Sequence, residues 1–232
     1  MREALDTRTL KRLYAKLARR YDLQHGLLTA RADQRGRRRL VELLVDPGDR
    51  VMDCGAGTGS TGILAAQRVG PDGHVTLFDL SEDMLAVARE KTKAAGLQER
   101  IDTQSGDMQH LPFADNHFDV VLSTYSLCPV ADPEASAREL YRVTRPGGMI
   151  GIAHSTEPKN PFVRWLAHKV ETIAWRLPWL SMGCRAVEVR PALEAAGGRV
   201  QLEKRFGVPL WPFLLLVIEK PQDDAPSTQA CQ

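Results

Sequence analysis

Apolar and polar positions change their period along the chain. Leu10, Leu13, Tyr14, Leu17, Ala18 and Tyr21 recur at helical spacing, with Lys11, Arg12, Lys16, Arg19 and Arg20 between them, and predict a helix over about residues 7–20. A second helix is expected over about 29–44, closed by the Pro47-Gly48 turn. Beyond it the period switches. Short strand-like runs ("DRVMDC", "HVTLFDL", "IDTQSGD", "FDVVLSTY", "MIGIAHS") alternate with helical stretches at 60–69, 81–95 and 132–144. Buried strands separated by ten or so residues need crossovers, and crossovers imply a parallel sheet.

The apolar segment 160–185, carrying Trp165, Trp175 and Trp179, interrupts the alternation. A short helix over about 188–196 ends at Gly197-Gly198, and the strands "RVQLEKRF" and "FLLLVIEK" follow. The expectation is one α/β domain over 1–220, doubly wound, with a helical cap at 1–45, a covering insert at 156–187 and a disordered tail at 221–232.

Composition narrows the class of protein. No apolar run reaches the roughly 18 residues needed to span a bilayer, and the N-terminal stretch has no apolar core of the secretory type. Cys54, Cys128, Cys184 and Cys231 form no CxxC pair, and His25, His74, His110, His117 and His168 show no ligand spacing. A reduced, cytoplasmic protein without metal or disulfide framework is expected. Net charge is only +2, but residues 1–40 hold 12 Lys/Arg against 4 Asp/Glu, and the remainder 19 against 25. A basic segment on an acidic body suits an anionic surface or a solvated helix face equally.

The stretch "VMDCGAGTGSTG" carries the candidate chemistry. In doubly wound folds ligands bind at the carboxyl ends of the strands, where the first glycine loop falls. Gly55, Gly57 and Gly59 let the backbone turn sharply and approach a ligand closely. The spacing is GxGxG rather than the dinucleotide-type GxGxxG, and Asp53 would repel phosphates while suiting an ammonium group. Both points favour S-adenosylmethionine over NAD. Asp79 ends the second strand, 24 residues after Gly55, where a carboxylate can take ribose hydroxyls. Asp107 and Met108 end the third and are suited to an adenine ring; Ser123, Thr124 and Tyr125 end the fourth, beneath the methionine part. Tyr21 or Tyr125 can offer a ring to a sulfonium.

Taken together, "DCGAGTG", "FDLSEDML", "GDMQHLPFADNHFDVV" and "ELYRVTRPGG" resemble the class I S-adenosylmethionine-dependent methyltransferases over about residues 10–220. The resemblance implies a seven-stranded, mostly parallel Rossmann-like sheet whose last strand is antiparallel. It implies cofactor contacts at Asp53, Gly55, Gly57, Thr58, Gly59, Asp79, Asp107, Met108 and Thr124. Within the class, "YAKLARRYDLQHGLLT" looks like the entry helix of the UbiE/MenG quinone C-methyltransferases, which act on lipophilic quinols. Other positions depart from that branch. "IGIAHSTEP" replaces the usual Glu-Phe after the fifth strand, and the middle segment is short. Leu127-Cys128, His154 and Gly183-Cys184 look more like phospholipid N-methyltransferases and membrane-associated alkyl-thiol methyltransferases.

A small lipophilic acceptor is common to all three branches. The basic N-terminal helix and the tryptophan-bearing insert suit substrate drawn from a membrane surface. His154 is expected at the end of the fifth strand, facing the substrate pocket as a base, with packing under the insert as its structural alternative. Trp175 and Trp179 are read as a lid or as core. A binding module that holds adenosylmethionine without turnover is the alternative from another class. Nucleic-acid methylation is not expected, because no Asn-Pro-Pro-Tyr-like motif follows the fourth strand.

Overall fold

A computed structural model describes residues 6–28, 32–174, 184–208 and 211–222. Trp175, Trp179, Gly183, Cys231 and the tail beyond Gln222 lie outside the described residues. The helices are α1 (Thr7–Leu17), α2 (Tyr21–Leu28), α3 (Ala32–Leu44), α4 (Ser60–Val69), α5 (Glu82–Ala94), α6 (Pro133–Val143), α7 (Pro161–Ala174) and α8 (Arg190–Ala195). The strands are β1 (Arg50–Cys54), β2 (His74–Asp79), β3 (Ile101–Ser105), β4 (Phe118–Thr124), β5 (Thr144–Ser155), β6 (Arg199–Val208) and β7 (Trp211–Glu219).

They form one seven-stranded sheet in the order β3-β2-β1-β4-β5-β7-β6. β3, β2, β1, β4 and β5 run parallel, and β7 runs antiparallel between β5 and β6. The strand order reverses between β1 and β4, and that switch point is where a doubly wound sheet opens a crevice.

The elements start where side chains satisfy free helix-end N–H groups. Asp6, Ser81 and Asp132 accept from backbone N–H groups at the starts of α1, α5 and α6, and Pro133 sits where its missing N–H costs nothing. β4 is buried along nearly its whole length, as a central parallel strand must be, whereas edge strand β3 buries only Ile101. Two apolar layers sandwich the sheet. One gathers Leu40, Leu44, Val51, Leu77, Leu122 and Val217 under α3 and α4; the other gathers Met52, Phe118, Leu140, Ile150, Ile152 and Leu193 under α6 and α8. Each fully buried Leu, Ile or Phe contributes about 1.5–3 kcal/mol.

Helix 60–69 falls where the apolar period places it, and the other predicted helices differ by a few residues at their ends. The cap differs from expectation. The first predicted helix ends early, at Leu17 before a turn at Ala18–Arg20, and α2 is an additional element beyond its expected end. The fifth strand starts ahead of the predicted run "MIGIAHS": β5 pairs Thr144 with Phe118 and then shifts register before Met149 pairs with Val120. The insert contains α7.

Candidate active site

The glycine loop is shaped by backbone conformations that only glycine adopts freely. Gly55 has φ +73°, and a Cβ there would stand 2.2 Å from Ser126 Cβ. Ser126 is fixed in turn, donating to the Cys54 carbonyl (3.0 Å) and sharing a 2.7 Å hydroxyl contact with Ser123. Gly59, at φ +78°, leads into α4 with no side-chain cap.

Asp79 holds this loop against the start of α5. One carboxylate oxygen accepts from Gly57 N–H and the other from Ser81 N–H, each at 2.8 Å. Desolvation raises its pKa against those N–H groups. Each oxygen keeps lone-pair capacity for a ligand hydroxyl. Asp107, at the end of the turn after β3, accepts from Gln109 N–H at 3.0 Å, and Met108 lies beside it under Gly55.

Asp53 is fully buried. Its Oδ2 accepts from Gly62 N–H at 2.8 Å, and its Oδ1 has no hydrogen-bond partner among the described residues. Burial pushes its pKa up to about 7, against the pull of Arg37 and Gly62 N–H.

Arg37 of α3 is the residue that sequence reasoning missed. It is 5% exposed and donates through Nη1 to Thr61 Oγ1 (2.8 Å) and Thr124 Oγ1 (2.7 Å). Its guanidinium carbon lies 5.0 Å from the centre of the Tyr125 ring, and its Nε 3.9 Å from Asp33. Tyr125 is one of two non-glycine residues with positive φ among the described residues, at +60°, and its N–H donates to the Ala153 carbonyl at 2.6 Å.

These groups share one cleft at the switch point. Gly55, Gly57, Thr58, Asp79, Asp107, Met108 and Thr124 line it; Asp53 and Gly59 stand behind the lining. The opposite wall comes from the cap, with Leu10, Lys11 and Tyr14 of α1 and Tyr21 of α2. The Tyr14 and Tyr21 rings lie 6.0 Å apart, tilted by 58°. Both phenols are raised, chiefly by desolvation, and remain neutral. Asp22 fastens α2 over the loop: it accepts from Thr58 Oγ1 (2.7 Å) and Lys91 Nζ (2.9 Å), and Lys91 also reaches Ser60 (3.0 Å).

Cys128 and Cys184 meet with their sulfurs 3.0 Å apart and are free thiols. The Cys128 thiol is raised by that contact and by burial.

His154 is not among the residues that line the cleft, contrary to the expectation that it faces the substrate pocket. The strand period explains this. His154 shares a face of β5 with Ile150 and Ile152, which pack toward α6 and α8, while Ala153 belongs to the other layer. It is 1% exposed, its Nδ1 lies 2.8 Å from the Ser155 carbonyl, and its Nε2 has no hydrogen-bond partner among the described residues. Burial lowers its pKa and keeps it neutral near pH 7.

Comparison with known proteins agrees with this geometry. Residues 51–148 match the family described as methyltransferase domain. The chain is 34% identical over 153 residues to a demethylmenaquinone methyltransferase from Lactobacillus johnsonii; the match covers 66% of this chain and 63% of that protein. It is 35% identical over 152 residues to a ubiquinone/menaquinone biosynthesis C-methyltransferase UbiE from Ectopseudomonas mendocina, covering 65% of this chain and 59% of that one. Among solved structures, the [4+2]-cyclase SpnF shares the fold with a TM-score of 0.74 at 18% identity, over 96% of this chain and 98% of that one. A SAM-dependent methyltransferase from Aquifex aeolicus gives a TM-score of 0.60 at 22% identity, over 92% and 98%. The chain spans less than two thirds of the length of these quinone-methyltransferase relatives, whose sequences it resembles, and its sheet has the fold of the solved methyltransferase structure.

Proposed function

We propose that this chain transfers a methyl group from S-adenosylmethionine to a small lipophilic acceptor with a quinol-type ring. One observation carries the reading: the glycine loop, Asp79, Asp107, Met108 and Thr124 line the same cleft whose opposite wall presents Tyr14 and Tyr21. The donor set fits the cofactor. Carboxylates at the ends of β2 and after β3 match hydroxyl and amino donors, and glycine backbone admits the ligand closely.

When bound, the cofactor would supply an electrophilic methyl, whose transfer to the acceptor would break the carbon–sulfur bond and leave S-adenosylhomocysteine. The chain's residues do the rest by orientation and exclusion of water. Tyr14, Tyr21 and Tyr125 line the cleft with aromatic faces that favour positive charge. The loop, Asp79 and Arg37 fix the wall against which the donor lies. The acceptor class is supported by the UbiE-like sequence and the aromatic cap wall. His154 stays in this reading as the candidate proton acceptor, with a neutral imidazole whose Nε2 is unpartnered among the described residues, although its side chain lies behind the residues that line the cleft. Peripheral contact with a membrane through the basic outer face of α1 belongs to the same reading.

The test is calorimetric titration with adenosylmethionine, its demethylated product and NAD, followed by methyl transfer to a demethylmenaquinol, phosphatidylethanolamine and an alkyl thiol. Binding of the first two with methylation of the quinol supports the proposal. Methylation of the lipid amine or the thiol alone replaces the acceptor. Binding with no transfer to any of them favours a non-catalytic module, and NAD binding alone refutes the reading. His154→Ala should lower kcat at least tenfold with KM for the cofactor unchanged; an unchanged kcat removes His154 from the chemistry.

A further inference from the structure

We infer that α7 seats this protein on an anionic lipid bilayer, with the face formed by Phe162, Trp165, Leu166 and Val170 entering the boundary between headgroups and acyl chains. The inference deepens the proposed function and rests on it only for the acceptor that such a surface would supply.

Those four residues stand at i, i+3, i+4 and i+8, one stripe of a helix. They are 70%, 56%, 40% and 39% exposed, and four of the six large hydrophobic residues recorded as exposed lie on this one helix. Phe162 and Trp165 stack with ring centres 6.0 Å apart, which makes a contiguous aromatic patch rather than scattered exposure. Ala167 is the one buried side chain among those described on α7.

Helix α1 of the cap does not offer an equivalent face. Leu10 of α1 is buried, and Leu10 and Tyr14 are lining residues of the cleft, so the apolar side of α1 is already spent on the body. Its outer side is left with Arg8, Arg12 and Lys16, all exposed. α1 can therefore add attraction to an anionic surface but has no apolar stripe to insert.

Charge says what covers α7. Residues 156–187 hold five Lys/Arg against two Asp/Glu, and residues 1–40 hold twelve against four; every other part of the chain together holds fourteen against twenty-three. A net excess of positive charge is thus found only in the cap and in the segment that contains the exposed stripe. Lys169 Nζ lies 5.9 Å from the Trp165 ring centre, and exposed Arg164 flanks it on the next turn. Glu157 is met by Arg164 (4.0 Å) and His168 (3.5 Å). Tryptophan and phenylalanine beside lysine and arginine are the composition of helices that lie in the plane of a membrane interface. No described helix is long and apolar enough to cross a bilayer, so the mode is in-plane. α7 starts six residues after β5 ends, at the carboxyl end of the sheet where the cleft opens.

The test is flotation of the full chain with vesicles of phosphatidylcholine, alone or with about one third phosphatidylglycerol, at near-physiological salt. Wild type should rise with the anionic vesicles and stay behind with the neutral ones. Phe162→Ser/Trp165→Ser should lose about tenfold in partitioning while binding S-adenosylhomocysteine as wild type does. Failure of wild type to float, equal flotation with neutral vesicles, or an unaffected double variant overturns the inference. So does self-association of wild type that the double variant abolishes, which would make the stripe a copy–copy contact. If the double variant does not fold, hydrogen exchange decides: slowing over residues 161–170 on adding anionic vesicles supports the inference, and none overturns it. Methylation of a short-chain, water-soluble quinol by a protein that does not float removes this inference and leaves the proposed function standing.

Discussion

The two walls of the cleft are built by different means. On the sheet side, the loop after β1, Asp79, Asp107 and Thr124 hang from consecutive strand ends, and the hydrogen bonds of the sheet fix their relative positions. On the cap side, Leu10, Tyr14 and Tyr21 come from two short helices held by side-chain contacts to α4 and α5. A wall hung on a sheet cannot move without breaking backbone pairing, whereas a wall hung on side chains can. The difference teaches where tolerance to change should lie.

The sharpest way to break the comparison is Gly55→Ala. A side chain at φ +73° that also lies 2.2 Å from Ser126 Cβ should abolish measurable binding of S-adenosylhomocysteine, a loss above about a hundredfold, and lower stability by about 2–4 kcal/mol. Leu23→Ser on α2, where the side chain is 70% exposed, should stay within about 0.5 kcal/mol. Calorimetry and thermal melts check both; equal losses would erase the distinction between the walls.

Arg37→Met comes next. It removes two hydrogen bonds and a cation that acts on Asp53 from a buried site and should cost about 2–4 kcal/mol in chemical denaturation. A cost below about 1 kcal/mol would show that Thr61 and Thr124 re-pair without it.

A smaller effect is set by pH. Asp53 is raised from 3.8 to about 7, so the folded state holds its proton while the unfolded state has released it. Its contribution is full below pH 3.8, declines as pH rises to about 7 and is level above. The slope is at most about 1.4 kcal/mol per pH unit. Asp53→Asn keeps an acceptor for Gly62 N–H and should flatten the stability curve relative to wild type between pH 5 and 7. Parallel slopes for the two proteins would place the proton elsewhere.

The smallest effect belongs to the cap fastening. Lys91→Met should cost about 0.5–1 kcal/mol, because the pair with Asp22 is partly exposed. Salt should reduce wild-type stability toward that of the variant.

The same contrast governs what the sequence discloses. Strands and the glycine loop are local patterns, so "VMDCGAGTG" and helix 60–69 are legible residue by residue. Contacts that join distant segments are not. Arg37 sits in the run Arg35, Arg37, Arg38, Arg39, which reads as a solvated face. What turns it inward is Gly36 beside it, where a Cβ would stand 2.6 Å from Tyr125 Oη. Asp22 and Lys91 are 69 residues apart, and no periodicity links them. α2 was hidden because Tyr21 continues the apolar spacing of α1 across the turn at Ala18–Arg20. The direction of His154 follows from alternation along β5, which groups it with Ile150 and Ile152 rather than with Ala153.

The fastening of α2 by Asp22, Thr58, Ser60 and Lys91 also has a kinetic meaning. Its charges are within reach of counterions, whereas the Arg37 contacts on the sheet side are sealed away. Ionic strength therefore acts on the two walls separately. Added salt loosens the clasp without touching the floor, and so shortens the residence time of whatever lies on the loop before it weakens the fold beneath.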